Sequence, residues 1–526
     1  MDKNKLKSFA VESRRILMRN VSERLNVLGF GEKKIESPLE LGNEVEINGI
    51  RIERSQYGEL KSKYDSLGYK ELVEEMAYTW FNRFTALRFM ELNGYIDEAV
   101  TESTTSKIEP GIVDMYGEAS FYDELTQEQK TEIHTLRDGE KLEELYVKLV
   151  EYKCDELNRI MPFMFEKTGD YTELLFPMGL LREGSFLTKL REAITKEDRE
   201  ENPEGEKVLP VEIIGWLYQF YNSEKKDEVF AALKKNVKIN KENIPAATQL
   251  FTPKWIVKYM VENSLGKLAL ESLGVDESIK DNWKYYIEAE NRGERTENRG
   301  ERIENRERLS IEEVKILDPA MGSGHMLVYA FDVLYQIYDQ LGYSSKDAVT
   351  SILKNNLFGL EIDDRAGQLA GFALMMKGRE KFRRLFRTLE RENIGLNTLA
   401  IQESNSVSEN TKNLMKENNL YELEYLVEIF RDAKEYGSIL KLKRVDFQRA
   451  EKERVRLEEA FGSFGQISLF GGQERLLETN GMQKTLKGNV GQWDFESDIN
   501  LINYLIHQGK IMAEKYDVTI TNPPYM

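Results

Sequence analysis

Four short segments of this 526-residue chain hold the residue types that can do chemistry. The first, LDPAMGSGH at 317–325, follows a short β-like run and opens a helical pattern. Gly322 and Gly324 permit positive φ or close approach of the backbone to a ligand. Peptide N–H groups at the helix start favour an anion such as a carboxylate. Asp318, at the strand's carboxyl end, can accept from an ammonium or hydroxyl, and that edge is where parallel sheets bind ligands. No GK[ST] follows, so this is not a phosphate-cradling P-loop. Position 327 is Leu, which leaves a GxGxxG fingerprint incomplete. Taken alone, the segment suits either a nucleoside cofactor or a structural turn.

The second segment, GLEIDD at 359–364, ends another β-like run. A carboxylate there, Glu361, can accept from both hydroxyls of a ribose lying across the first loop. Asp363 and Asp364 fall at a helix start, where they serve equally well as caps. The third, QLFTPKWIVKYM at 249–260, reads as an ordinary helix start with Thr252 as N-cap and Pro253 at the first helical position. Its alternative role is a lid packing Phe251 and Thr252 against a cofactor. The fourth, TNPPY at 521–525, follows the run YDVTIT. Pro523 and Pro524 fix φ and make a rigid presenting loop. The Asn522 side chain and the Pro523 carbonyl are two acceptors suited to an exocyclic NH₂ group. Tyr525 offers a flat ring for an extruded base.

The elements that must position these segments alternate from residue 236 onward. Runs at 314–317, 357–362 and 516–521 read as strands, and 325–342 and 364–391 read as helices, which predicts a parallel α/β sheet. The first 235 residues read as mainly helical. Leu17, Val21, Leu25 and Leu28 fall on one helix face, and an aromatic-rich block spans 76–96. Tyr78, Trp80, Phe81 and Phe84 read as core, with a base-stacking platform as the alternative. Two stretches look inserted, 276–312 and 401–490. The first holds the seven-residue repeat ENRGERT, ENRGERI, ENRERLS, and the second is polar.

Composition narrows the function classes. Cys154 is the single cysteine, and His134, His325 and His507 are the only imidazoles, so neither a disulfide nor a Cys/His metal centre is expected. No apolar run approaches the ~18 residues a membrane helix needs. The N-terminus lacks the apolar segment of a signal peptide, so a cytoplasmic protein is expected. A net charge of −18 argues against an extensive grip on nucleic acid by these residues.

The order TP helix, DPAxGSG, GxEID, NPPY resembles the amino-group DNA methyltransferases that modify adenine N6 with S-adenosylmethionine. KLKSFAVESRR (5–15) and RFTALRFMELNGYI (83–96) look like the helical part of the PglX-type enzymes of bacteriophage-exclusion systems. The resemblance implies a helical N-terminal domain, 1–235, and an incomplete Rossmann-like methyltransferase domain, 236–526. It implies that Asp318, Pro319, Ala320, Gly322 and Gly324 hold the methionine end of the cofactor. Glu361 would hold the ribose, while Phe251, Thr252 and Pro253 close the site. Asn522, Pro523, Pro524 and Tyr525 would hold a flipped adenine of double-stranded DNA. Asp432, in FRDAKEYGS (430–438), is the candidate for the cofactor's adenine ring, and Asp446 a poorer one.

Transfer would be direct, with no covalent intermediate and no metal. The pattern calls for further strands and a target-recognition domain after NPPY, so a truncated or split enzyme completed by a second polypeptide is expected. Other proteins of a phage-defence complex are further expected partners. Two alternatives stay open: an RNA or protein-glutamine methyltransferase, and a non-catalytic subunit of such a complex.

Overall fold

The computed structural model describes residues 2–103, 108–165, 171–202, 205–235, 252–288, 309–443, 445–469 and 492–523. The chain opens with the helix Lys3–Val27, whose first turn is capped by Asp2, the side chain accepting from Asn4 and Lys5 N–H. Its buried stripe runs through Leu6, Phe9, Ala10, Leu17, Val21 and Leu25, the helical period seen in the sequence. It packs against the helices Tyr69–Leu92 and Glu212–Tyr221. Tyr69–Leu92 is buried nearly all round, with Tyr78, Trp80, Phe81 and Phe84 each at most 1% exposed. Phe81 meets Tyr221 at 4.6 Å and Trp80 meets Phe176 at 4.4 Å. These rings are core and present no face to a base. Two small antiparallel sheets decorate this region: β1 Leu39–Leu41, β2 Glu44–Ile47 and β3 Ile50–Glu53, then β4 Glu200–Glu201 with β5 Lys207–Val208.

The central sheet contains β6 Ile316–Asp318, β7 Leu357–Glu361, β8 Asn397–Ala400 and β9 Val518–Thr519. All pairs are parallel and the order is β8–β7–β6–β9. Three strands follow the runs read from the sequence. β8 was not foreseen, because its four residues include polar Asn397 and Thr398 and only Leu399 is fully buried. As an edge strand it needs no continuous apolar signal. The helix expected over 364–391 is two, Asp364–Lys381 and Leu385–Glu392.

Each sheet face has its own core. Ile316 and Leu357 join the N-terminal helices and the helices His325–Gln340 and Asp364–Lys381 in one continuous apolar cluster. Phe358, Leu360 and Leu399 point the other way, toward Met415, Leu426, Phe430, Leu457, Ile502 and Leu505. These come from the helices Glu409–Glu417, Tyr421–Ile429, Phe447–Leu469 and Gln492–Ala513, with Phe430 as the C-cap of the second. Polar composition over 401–461 therefore coexists with a helical layer on the sheet. The alternation of inward residues along β7 requires that layer, since both faces of a parallel strand are apolar. The chain leaves β6 toward β7 and β8 on one side and returns as β9 on the other. The carboxyl ends of β6 and β9 thus lie side by side, at the edge outside which such sheets bind ligands.

Candidate cofactor and substrate site

Asp318 ends β6 and is 1% exposed. Its Oδ1 accepts from Ala320 N–H at 3.1 Å, which tightens the turn through Pro319. The Thr521 hydroxyl faces the same carboxylate without the alignment of a regular hydrogen bond. Burial pushes the Asp318 carboxyl up to about 7, with Glu361 nearby adding to the rise.

Gly322 and Gly324 take φ of +55° and +83°. They are glycines for different reasons. A Cβ on Gly324 would lie 3.0 Å from Ala370 Cα and Cβ, so this glycine lets two helices meet. A Cβ on Gly322 would meet nothing within 4 Å, so its open side can receive a ligand.

Glu361 ends β7 and turns back over the loop. Its Oε2 accepts from Gly322 N–H at 2.7 Å, and its Oε1 from Ile362 and Asp363 N–H at 2.9 and 3.1 Å. Burial nevertheless raises the pKa of its carboxyl above the ordinary carboxylate value. No Lys or Arg pairs with Asp318 or Glu361 among the described residues. A buried carboxylate beside a half-buried one, without a cation, makes a site that fits a positively charged ligand.

Asp363 caps the helix Asp364–Lys381, accepting from Arg365 N–H at 3.1 Å. It also accepts from Arg365 Nε and, at 2.7 Å, from Tyr218 OH, and these partners hold its carboxyl below the ordinary range despite burial. Asp364 instead accepts from Lys434 Nζ and Gln402 Nε2.

Thr252 is not the N-cap expected from the sequence. Pro253 holds that position, with φ −53° and ψ 137°, and the helix runs Lys254–Val261. The Thr252 hydroxyl is engaged elsewhere, accepting from Asn522 Nδ2 at 3.0 Å across 270 residues of sequence. Thr252 and Asn522, from the third and fourth segments, thereby meet beside β6. Pro523 follows at the exposed end of the described chain. Phe251, Pro524 and Tyr525 lie outside the described residues.

Asp432 sits in the left-handed region at φ +53°. Its carboxylate accepts from Asn405 Nδ2 at 2.6 Å while its N–H donates to Asn405 Oδ1 at 2.9 Å. Two residues later, Lys434 ties this turn to Asp364. Asp446 caps the helix Phe447–Leu469 instead, accepting from Arg449 N–H. A cleft begins at Ile362, Asp363 and Lys434 and runs between the aromatic helix and β8, but its lining omits Asp318, Gly322 and Glu361. Tyr218 and Thr521 are the contributors to this neighbourhood that sequence reading gave no role. Tyr218 lies 145 residues from its partner, and no local pattern signals the contact.

The family model of the MmeI DNA-methyltransferase domain matches residues 293–430, a span that includes the glycine loop and Glu361. Along its whole length the chain is 34% identical to adenine-specific methyltransferase BrxX of Escherichia coli O9:H4 (strain HS). It is 33% identical, again over its whole length, to adenine-specific methyltransferase PglX of Lacticaseibacillus casei (strain Zhang). The chain is a relative of the PglX-type adenine-specific methyltransferases. It spans 42% and 43% of the length of these two relatives. No described helix is long and apolar enough to cross a membrane.

Proposed function

We propose that this chain carries the cofactor-binding and catalytic motifs of a DNA adenine N6-methyltransferase that uses S-adenosylmethionine. The carrying observation is the convergence, at the ends of β6, β7 and β9, of Asp318, Glu361 and the Thr252–Asn522 pair. We read the sheet as the first half of a Rossmann-like methyltransferase domain spanning 236–526, served by a helical unit of residues 1–235. When bound, S-adenosylmethionine would supply a methyl group already activated on a sulfonium.

The remaining work falls to the protein. Asp318 would accept from the methionine ammonium, the open side of Gly322 would admit the methionine backbone, and Glu361 would offer the ribose its remaining lone-pair direction. Three of the four lone-pair directions of Glu361 already hold backbone N–H groups, so it is aimed before any ligand arrives. Donation by Asn522 Nδ2 to Thr252 fixes the carboxamide with Oδ1 as its acceptor end, and that end takes an N–H of adenine N6. The Pro523 carbonyl takes the second, and Tyr525 stacks on the base. Two acceptors aimed at N6 favour the positive charge that grows there during transfer, and holding N6 in line with the methyl group supplies much of the acceleration. Asp432, two residues before the Lys434 that pairs with Asp364, is assigned to the cofactor's adenine ring. Reading of the target sequence is assigned to a further region or a second polypeptide, in keeping with the greater length of the relatives.

The test is incorporation of labelled methyl groups from S-adenosylmethionine, with double-stranded DNA, RNA and protein offered as substrates to the enzyme completed by its recognition part. Label on adenine N6 of DNA is expected. Label on RNA or on glutamine side chains, with DNA untouched, would refute the reading.

A further inference from the structure

One face of the helix Glu212–Tyr221 touches three of the four functional segments. Glu212, Gly215 and Tyr218 recur every three residues and so share a face. Glu212 accepts from Lys254 Nζ at 2.6 Å, which ties it to the helix that follows Thr252. Gly215 lies against the glycine loop: a Cβ there would fall 2.3 Å from His325 Cε1 and 3.0 Å from Ser323 Oγ. Tyr218 OH donates to Asp363 Oδ2 at 2.7 Å in fully buried surroundings. The peptide N–H of Asp363 in turn holds Glu361 Oε1, whose other oxygen holds Gly322. The helix thus connects directly to the lid segment and the glycine loop, and through Asp363 to the carboxylate assigned to the ribose.

We propose that this helix is a clamp that sets the three cofactor segments in register, with Gly215 and Tyr218 as its positioning residues. The inference rests on the S-adenosylmethionine reading above and assigns cofactor affinity partly to residues that touch no cofactor. Three independently anchored segments have three relative displacements to lose on binding. A common support removes them beforehand, and such preorganisation appears as affinity. Gly215 has a specific reason to be glycine in a helix interior, where Ala is otherwise favoured by about 1 kcal/mol. Its bare backbone lets His325 and Ser323 come against the helix.

Isothermal titration of the full 526-residue chain with S-adenosylmethionine tests this. Tyr218→Phe keeps the ring and removes one hydrogen bond to a buried carboxylate, so Kd should rise by about five- to tenfold. Gly215→Ala should raise it by about tenfold or more, although Ala strengthens the helix itself. Trimming the obstructed ring in Gly215→Ala/His325→Ala should recover most of that loss. Tyr221→Phe is the control, since the buried Tyr221 hydroxyl has no hydrogen-bond partner among the described residues, and it should bind as the wild type does. Wild-type affinity in both Tyr218→Phe and Gly215→Ala overturns the clamp, as does an equal loss in Tyr221→Phe. Absence of binding by the wild-type chain is a different result, and overturns the cofactor reading along with the inference that rests on it.

Discussion

Replacing Asp318 by Asn should stabilise the cofactor-free chain above pH 7 and remove cofactor binding. The carboxyl is 1% exposed, and burial moves it from its ordinary 3.8 to about 7. At about 1.4 kcal/mol per pH unit, keeping it ionised costs the folded chain about 4 kcal/mol. Its folded value lies above the unfolded one. The associated stability is therefore fully present below about pH 4 and is lost as pH rises through 7. Asn carries no charge to bury, although its NH₂ must find acceptors in the same space. A net gain of about 2–4 kcal/mol at pH 8 is expected, shrinking toward zero or below at pH 4. Urea unfolding of both proteins at several pH values, without cofactor, measures the difference. With S-adenosylmethionine at 100 times its Kd, the wild type should gain about 2.7 kcal/mol and the variant nothing. A stability difference independent of pH, or undiminished cofactor affinity in the variant, would refute the assignment of Asp318 as a buried anion awaiting a cation.

Other outcomes follow from the same geometry. Cofactor affinity of the wild type should be highest above pH 7 and about tenfold lower at pH 6, because a cationic ligand selects the ionised form of Asp318; calorimetry across pH 5.5–8.5 checks this. In the completed enzyme, Asn522→Ala should lower methyl transfer by at least about a hundredfold, as removal of one transition-state hydrogen-bonding group does elsewhere, while cofactor binding measured by calorimetry persists. Gly322→Ala should cost stability only about 1–2 kcal/mol, for the positive φ, yet weaken cofactor binding. Gly324→Ala should cost more in stability, because the added methyl also meets Ala370 at 3.0 Å; thermal unfolding paired with titration separates the two. Cys154 is buried, with its thiol pushed up to about 12, so alkylation by iodoacetamide should await unfolding, which mass spectrometry along a denaturant series reports.

The turn at the glycine loop and the strand ends at Glu361 and before Asn522 were legible because each is a run of adjacent residues whose backbone demands are local. Gly322 must reach positive φ, Asp318 must end a strand, and Asp363 must begin a helix, whatever the rest of the chain does. Two things near the site were not legible. β8 is short, half polar and at an edge, so only pairing with β7 defines it. Thr252 looked like an N-cap, because Thr-Pro before an apolar run has that local meaning. The fold gives its hydroxyl to Asn522 instead, and the peptide geometry at Pro253 starts the helix without it.

The sequence by itself singled out the residues proposed for the chemistry: two carboxylates after strands, two permissive glycines, and a carboxamide before prolines. Tertiary structure alone decided how they meet. The order β8–β7–β6–β9 brings segments some 200 residues apart to one sheet edge. The same packing sets a helix from the first 235 residues against all three segments assigned to the cofactor. Strand order and helix docking depend on which apolar faces bury each other across the chain. That is a global property, and no spacing of neighbouring residues encodes it.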